Sequence, residues 1–165
     1  MNQPVTAIYA GTFDPLTLGH EDLVRRGARL FSEVVVAVAA AHHKSTLFSQ
    51  ADRVAMAQEA LADQPQVRVL GFDGLLRDFV RAQGAQVVLR GVRSATDFDY
   101  ETQLAGMNRQ LMPEVDTVFM WPSDGVQYIS STLVREIARL SADAHRFVSP
   151  TVHARLQKAL AARQP

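Results

Sequence analysis

Apolar runs of strand length alternate along the chain with amphipathic stretches of helix length, the arrangement of a parallel sheet covered on both faces. The run Val34-Val35-Val36-Ala37-Val38 has no polar alternation, so a strand built from it leaves no face for water. The pattern predicts strands over about residues 5–10, 34–40, 67–70, 87–89 and 117–121, most of them interior. Helices are predicted over about 20–31, 50–62, 75–83, 97–111, 131–140 and 150–162. The fold class that follows is α/β, a doubly wound parallel five-stranded sheet with helices on both faces.

Local chemistry supports these helix starts. Ser49 precedes Gln50-Ala51-Asp52, Thr96 precedes Asp97, and Ser149 precedes Pro150, a residue suited to the first helical position. Gly84 suits a left-handed helix end. No repeat, low-complexity tract or linker interrupts residues 1–165, which read as one domain closed by the helix at about 150–162. Residues 159–165 are expected to fray.

Charge and composition narrow the function. Lys plus Arg and Asp plus Glu number 17 each, so no overall field draws the chain to nucleic acid or to an anionic membrane. Anion binding must come from a local site. The absence of cysteine excludes thiolate metal sites and cysteine nucleophiles. Met1-Asn2-Gln3-Pro4 has no leader-like character and no apolar run approaches membrane-spanning length, so a soluble cytoplasmic protein is expected.

The informative segment follows the first strand: Gly11-Thr12-Phe13-Asp14-Pro15-Leu16-Thr17-Leu18-Gly19-His20, leading directly into a helical pattern. Unpaired amides at a helix N-terminus, with the helix dipole, favour anions. Gly11 and Gly19 could let a phosphate approach, Thr12 offers a hydroxyl and His20 a ring nitrogen. The glycines could instead only make turns, and His20 could only cap. Neither the P-loop ending nor the three-glycine dinucleotide spacing is present, which disfavours a P-loop kinase. Lys44, Arg90 and Arg93 also fall at or near the ends of predicted strands, where open parallel sheets bind ligands. Adjacent His42 and His43 lack partners at ligand spacing, and no protein-bound metal is expected.

The segment from Tyr9 through His20 resembles the first signature of the nucleotidyltransferase superfamily, which carries a T/HxGH motif. Downstream, Arg90-Gly91-Val92-Arg93, Asp97-Phe98-Asp99-Tyr100-Glu101, Met107 to Pro113 and Ile129-Ser130-Ser131-Thr132 resemble the bacterial phosphopantetheine adenylyltransferase family, in order and spacing. The resemblance covers about residues 7–156. It implies a Rossmann-like fold and transfer of AMP from ATP to 4'-phosphopantetheine, giving dephospho-coenzyme A and pyrophosphate. No protein nucleophile is required.

Carried over residue by residue, it implies His20, Lys44 and Arg93 as catalytic groups. ATP would meet Thr12, Phe13, His20, Gly91, Val92, Arg93 and Glu101. It would also meet the segment Val126, Gln127, Tyr128, Ile129, Ser130, Ser131 and Thr132. The acceptor would meet Thr12, Lys44, Leu76, Arg90 and Asn108, with Leu76 preferred over Leu75. Magnesium would travel with ATP. The family also implies a homohexamer and possible feedback by coenzyme A. Ala10 and Leu18 depart from the commoner proline and asparagine at those positions. Rival readings are a nucleotidyltransferase with another acceptor, such as nicotinamide mononucleotide or glycerol 3-phosphate, and a nucleotide-binding regulator without transfer activity.

Overall fold

A computed structural model describes residues 4–42, 45–140 and 143–162. The elements run β1 (Thr6–Gly11), α1 (Leu18–Gly27), β2 (Glu33–Ala39), α2 (Gln50–Ala60), β3 (Val67–Phe72), α3 (Leu76–Ala82) and β4 (Val87–Gly91). They continue with α4 (Ala95–Leu111), β5 (Asp116–Met120), α5 (Ser131–Arg139) and α6 (Pro150–Ala161). The five strands form one sheet in the order β3-β2-β1-β4-β5, with every pairing parallel.

Alternate residues of the inner strands feed two cores. Tyr9, Val34, Val36, Val38 and Leu89 point to one face, where Leu23 and Val24 of α1, Met56 of α2, Val134 of α5 and Leu156 of α6 cover them. Ile8, Ala10, Val35, Ala37 and Val88 point to the other, covered by Val80 of α3 and by Met112 and Val115. Val34 through Val38 are fully buried, as a strand without a wet face requires. The second face is the thinner one. No residue of α4 is fully buried, and Phe98, Tyr100 and Met107 on it stand exposed.

Several boundaries differ from those read off the sequence. Helix α1 starts earlier because Thr17 caps it, and it tightens after Gly27, where Leu30 and Phe31 both donate to the Gly27 carbonyl. Helix α4 starts at Ala95 because the Ser94 hydroxyl, not that of Thr96, accepts from the Asp97 amide. Ser49 caps α2 as expected, whereas Ser149 makes no cap bond and its hydroxyl lies buried against Glu21. Gly84 takes φ +61° and closes α3 with paired bonds from Gly84 to Arg81 and from Ala85 to Val80. Of residues 159–165, expected to fray, 163–165 lie outside the described residues and 159–161 are helical. Helix α6 runs to Ala161, and Ala159 and Leu160 pack on the first core. No helix among the described residues is long and apolar enough to cross a membrane.

Candidate active site at the switch point of the sheet

The chain winds from β1 outward to β3, then crosses to β4 on the other side, so the order reverses between β1 and β4. The loops leaving such neighbouring strands diverge to opposite faces and open a crevice. A cleft of about 670 Å³ lies there. Its wall includes Thr12, Phe13 and His20 after β1, Arg90, Gly91 and Arg93 at the end of β4, Glu101 of α4, and Ile129 through Thr132 at the start of α5.

His20 is held by its own helix start. The Thr17 hydroxyl accepts from the His20 amide, and His20 Nδ1 accepts from the Thr17 amide at 3.0 Å, closing a capping box with histidine in the place usually filled by Glu or Gln. With Nδ1 an acceptor, the neutral ring carries its proton on Nε2. Phe13 stacks edge-on against the ring at 5.1 Å between centroids. Burial of the ring, with the positive charge of Arg93, pushes its pKa down to about 4. His20 is therefore a neutral, oriented hydrogen-bond donor at pH 7 rather than a cation. Between pH 6.5 and 4 an unfolded chain binds a proton here that the folded one does not, so acidification through that window erodes stability. Nitrogen-detected NMR is expected to show a single Nε2-protonated tautomer for His20 with no titration above about pH 5. A ring titrating near 6.5 would contradict this environment.

Both arginines are paired with carboxylates of the chain itself. Arg90 makes a two-pronged bond to Glu101, at 2.6 and 2.7 Å, and donates to the Ala10 carbonyl at 3.0 Å. Burial acts to lower the Arg90 pKa, but Glu101 outweighs it and the net shift is upward. Arg93 contacts Asp97 at 3.2 Å and reaches the Ile129 carbonyl at 3.1 Å. The Arg93–Asp97 pair is half exposed and held weakly, so an anion can displace it. The Arg90–Glu101 pair is mostly enclosed and more rigid.

Across the cleft, the Ser130 hydroxyl caps α5 by accepting from Leu133, while Ser131 donates to the Pro15 carbonyl at 2.8 Å. That bond ties the α5 start to the turn after β1. The residues of this helix start line the same cleft as His20, and helix N-termini favour anions. Arg135, one helical turn further on, donates to the Asp14 carbonyl and lies 3.7 Å from the Asp14 carboxylate.

Comparison with known proteins decides the family. A protein of Acidovorax sp. (strain JS42) named phosphopantetheine adenylyltransferase is 63% identical over 152 residues, 92% of each chain. One of the same name from Thiobacillus denitrificans is 58% identical over 154 residues, 93% of this chain and 96% of its own. The chain belongs to the phosphopantetheine adenylyltransferase family. The cytidylyltransferase-like family model matches residues 8–137. A bifunctional nicotinamide mononucleotide adenylyltransferase/ADP ribose pyrophosphatase from Francisella tularensis shares the fold, with TM-score 0.75 at 12% identity over 98% of this chain and 51% of its own.

Within this adenylyltransferase fold, the residues singled out from the sequence divide sharply. Thr12, Phe13, His20, Arg90, Gly91, Arg93, Glu101, Val126, Ile129, Ser130, Ser131 and Thr132 share the cleft wall. Lys44 and His43 lie outside the described residues. The other candidates do not line the cleft. Val92 is buried and its amide donates to the Met120 carbonyl. Gln127 accepts from the Trp121 indole, and Tyr128 is exposed. Leu76 is half-buried against the second core, and Asn108 is half-buried on α4. Gly11 and Gly19 line the cleft and are crowded by protein as well: a Cβ at Gly11 would meet the Phe13 ring at 2.9 Å, and one at Gly19 the Val126 carbonyl at 3.1 Å. Their bare surfaces admit protein. Arg135 escaped the sequence reading, although its place one turn after Thr132 was a usable signal. Thr17, Ser45, Thr46 and Asp97 also line the cleft without having been singled out.

Proposed function

We propose that this chain transfers AMP from ATP to 4'-phosphopantetheine, releasing pyrophosphate and forming dephospho-coenzyme A. The observation that carries this reading is one cleft with an oriented neutral donor, His20 Nε2, on one wall and the hydroxyl-rich N-terminus of α5 on another. An acceptor phosphate oxygen attacks the α-phosphorus, the bond from that phosphorus to the bridging oxygen breaks, and pyrophosphate departs with the electron pair. No proton must move through the protein. What the site supplies is proximity and fixed charge complementarity for two anionic reactants.

In this reading His20 donates to an α-phosphate oxygen, and Thr12 lies between donor and acceptor. Ser130 to Thr132 and Arg135 meet the departing phosphates, Arg93 exchanges Asp97 for phosphate, and Lys44 with Arg90 serves the acceptor. Among the described residues no cluster of three or more His, Cys, Asp or Glu could hold a metal ion. Magnesium then enters as part of the nucleotide, held largely by phosphate oxygens and water. A cytoplasmic location and feedback by coenzyme A, which shares the pantetheine arm, complete the reading. A homohexamer is part of it, supported by the exposed Tyr100, Met107 and Leu111, which share one face of α4, since apolar patches of that kind commonly mark interfaces.

The test is pyrophosphate release with magnesium and ATP, comparing 4'-phosphopantetheine, nicotinamide mononucleotide and no acceptor, on a preparation whose mass in solution is read by light scattering. Release with phosphopantetheine alone, and dephospho-coenzyme A identified by mass, is expected. Release with nicotinamide mononucleotide instead would overturn the acceptor, and ATP binding without release would favour a regulator. A monomeric mass would remove the hexamer.

A further inference from the structure

The largest fully buried side chain among the described residues is a charged one. Arg53 on α2 is 1% exposed and forms no ion pair among the described residues, although Asp14 acts on its charge from a distance. Its guanidinium donates to four backbone carbonyls: Thr12 at 2.6 Å, Ala39 at 2.8 Å, and Ala40 and Phe48 at 3.2 Å. These belong to the turn after β1, the end of β2 and the approach to α2. Asp14, 3% exposed, works on the same loop from the other side, with its two carboxylate oxygens accepting from the consecutive amides of Leu47 at 2.7 Å and Phe48 at 3.0 Å. The segment leaving β2 is thus pinned at residues 39–40 and again at 47–48 to the turn that carries Thr12. Between those anchors Ser45 and Thr46 join Thr12 on the cleft wall.

Burying a guanidinium is a poor route to stability, because desolvation offsets much of what its bonds return. An apolar residue at 53 would avoid that cost but leave four carbonyls unpaired. The five donors of arginine in their planar fork can tie several chain segments at fixed angles, which a lysine cannot do.

We infer that Arg53 and Asp14 are positioning residues that set the Ser45–Thr46 part of the cleft wall against Thr12, and thereby determine acceptor binding. The inference rests on the proposed transfer to phosphopantetheine. Arg53 does not line the cleft, and Asp14, which does, has its carboxylate oxygens engaged by the Leu47 and Phe48 amides. Displacement of a positioned group by about 1 Å can cost on the order of a hundredfold in rate, so loosening one anchor is expected to show in the acceptor kinetics.

The test uses Asp14→Asn, which keeps shape but turns one acceptor into an amide facing the loop, and Arg53→Lys, which keeps charge but loses the fork. The expected result for Arg53→Lys is a KM for 4'-phosphopantetheine raised about tenfold or more, with the KM for ATP within about twofold of the parent; Asp14→Asn, which also removes the charge 3.7 Å from Arg135, is expected to raise the phosphopantetheine KM several-fold more than the ATP KM. A purely structural role would lower the melting temperature without separating the two constants, and that outcome overturns the inference, as does a parallel rise in both. Hydrogen exchange on the unaltered protein gives a reading that needs no variant. The Leu47 and Phe48 amides are expected to be strongly protected without any ligand, and fast exchange there overturns the inference even if the variants fail to fold. Should the unaltered protein not use phosphopantetheine at all, the functional reading falls while the exchange result still reports on the anchors.

Discussion

Replacing His20 by alanine is expected to lower kcat about a hundredfold to a thousandfold, the usual consequence of removing one fixed donor to a developing charge. ATP affinity is expected to change by about threefold or less, because the contact strengthens mainly as the α-phosphorus changes its bonding. The two quantities are separated by pyrophosphate release for kcat and by calorimetry with a non-reacting ATP analogue for binding. The structure makes the expectation specific, since Thr17 occupies Nδ1 and leaves Nε2 as the donor. A weaker affinity with an unchanged kcat would remove the ring from the transition state. The capping role predicts a smaller second effect. Loss of the Nδ1 acceptor leaves the Thr17 amide short of a partner, so a small fall in stability should accompany the fall in rate.

The second large effect is expected at Arg90. Arg90→Ala leaves Glu101 mostly enclosed without its partner, and breaking such a pair from one side costs about 3 kcal/mol. For a chain of 165 residues that corresponds to a fall in melting temperature of about 10 °C. Acceptor use should fall at the same time, because the guanidinium is proposed to serve the acceptor phosphate. Adding Glu101→Ala to Arg90→Ala should restore part of the lost melting temperature, as the unpaired charge is then gone, without restoring acceptor use. A double variant no more stable than the single one would mean the pair contributes little to the fold. Recovered acceptor kinetics would mean Arg90 acts only through Glu101.

The parts of this protein that were legible in the sequence are those governed by local pattern. The run at Val34 to Val38 could be placed inside a sheet because no face of it tolerates water, and it is fully buried. The hydroxyls before α5 and the turn after β1 could be read as anion-binding because helix starts leave amides unpaired whatever surrounds them. Leu76 and Val92 show where that reasoning stops. An apolar residue beside a motif looks the same whether it meets a ligand or the core: Val92 is buried, and Leu76 is half-buried against the second core. Arg53 and Asp14 were invisible for a related reason. A lone arginine in a helical pattern reads as a solvated face, and only the packing of α2 against the ends of β1 and β2 encloses it.

The order and type of the elements, the two-sided burial of the inner strands and the chemistry of the motifs were therefore set by the sequence itself, through hydrophobic periodicity and helix-end chemistry that operate over a few residues. What tertiary structure alone decided was partnership. It joined Arg90 to Glu101 and Arg93 to Asp97. It packed the Phe13 ring against Gly11 and the Val126 carbonyl against Gly19. It also turned His20 from a possible cation into a neutral donor by burying the ring next to Arg93. Those outcomes depend on which segments the sheet order brings together at its switch point. Contacts between residues far apart in the chain have energies that no local pattern encodes.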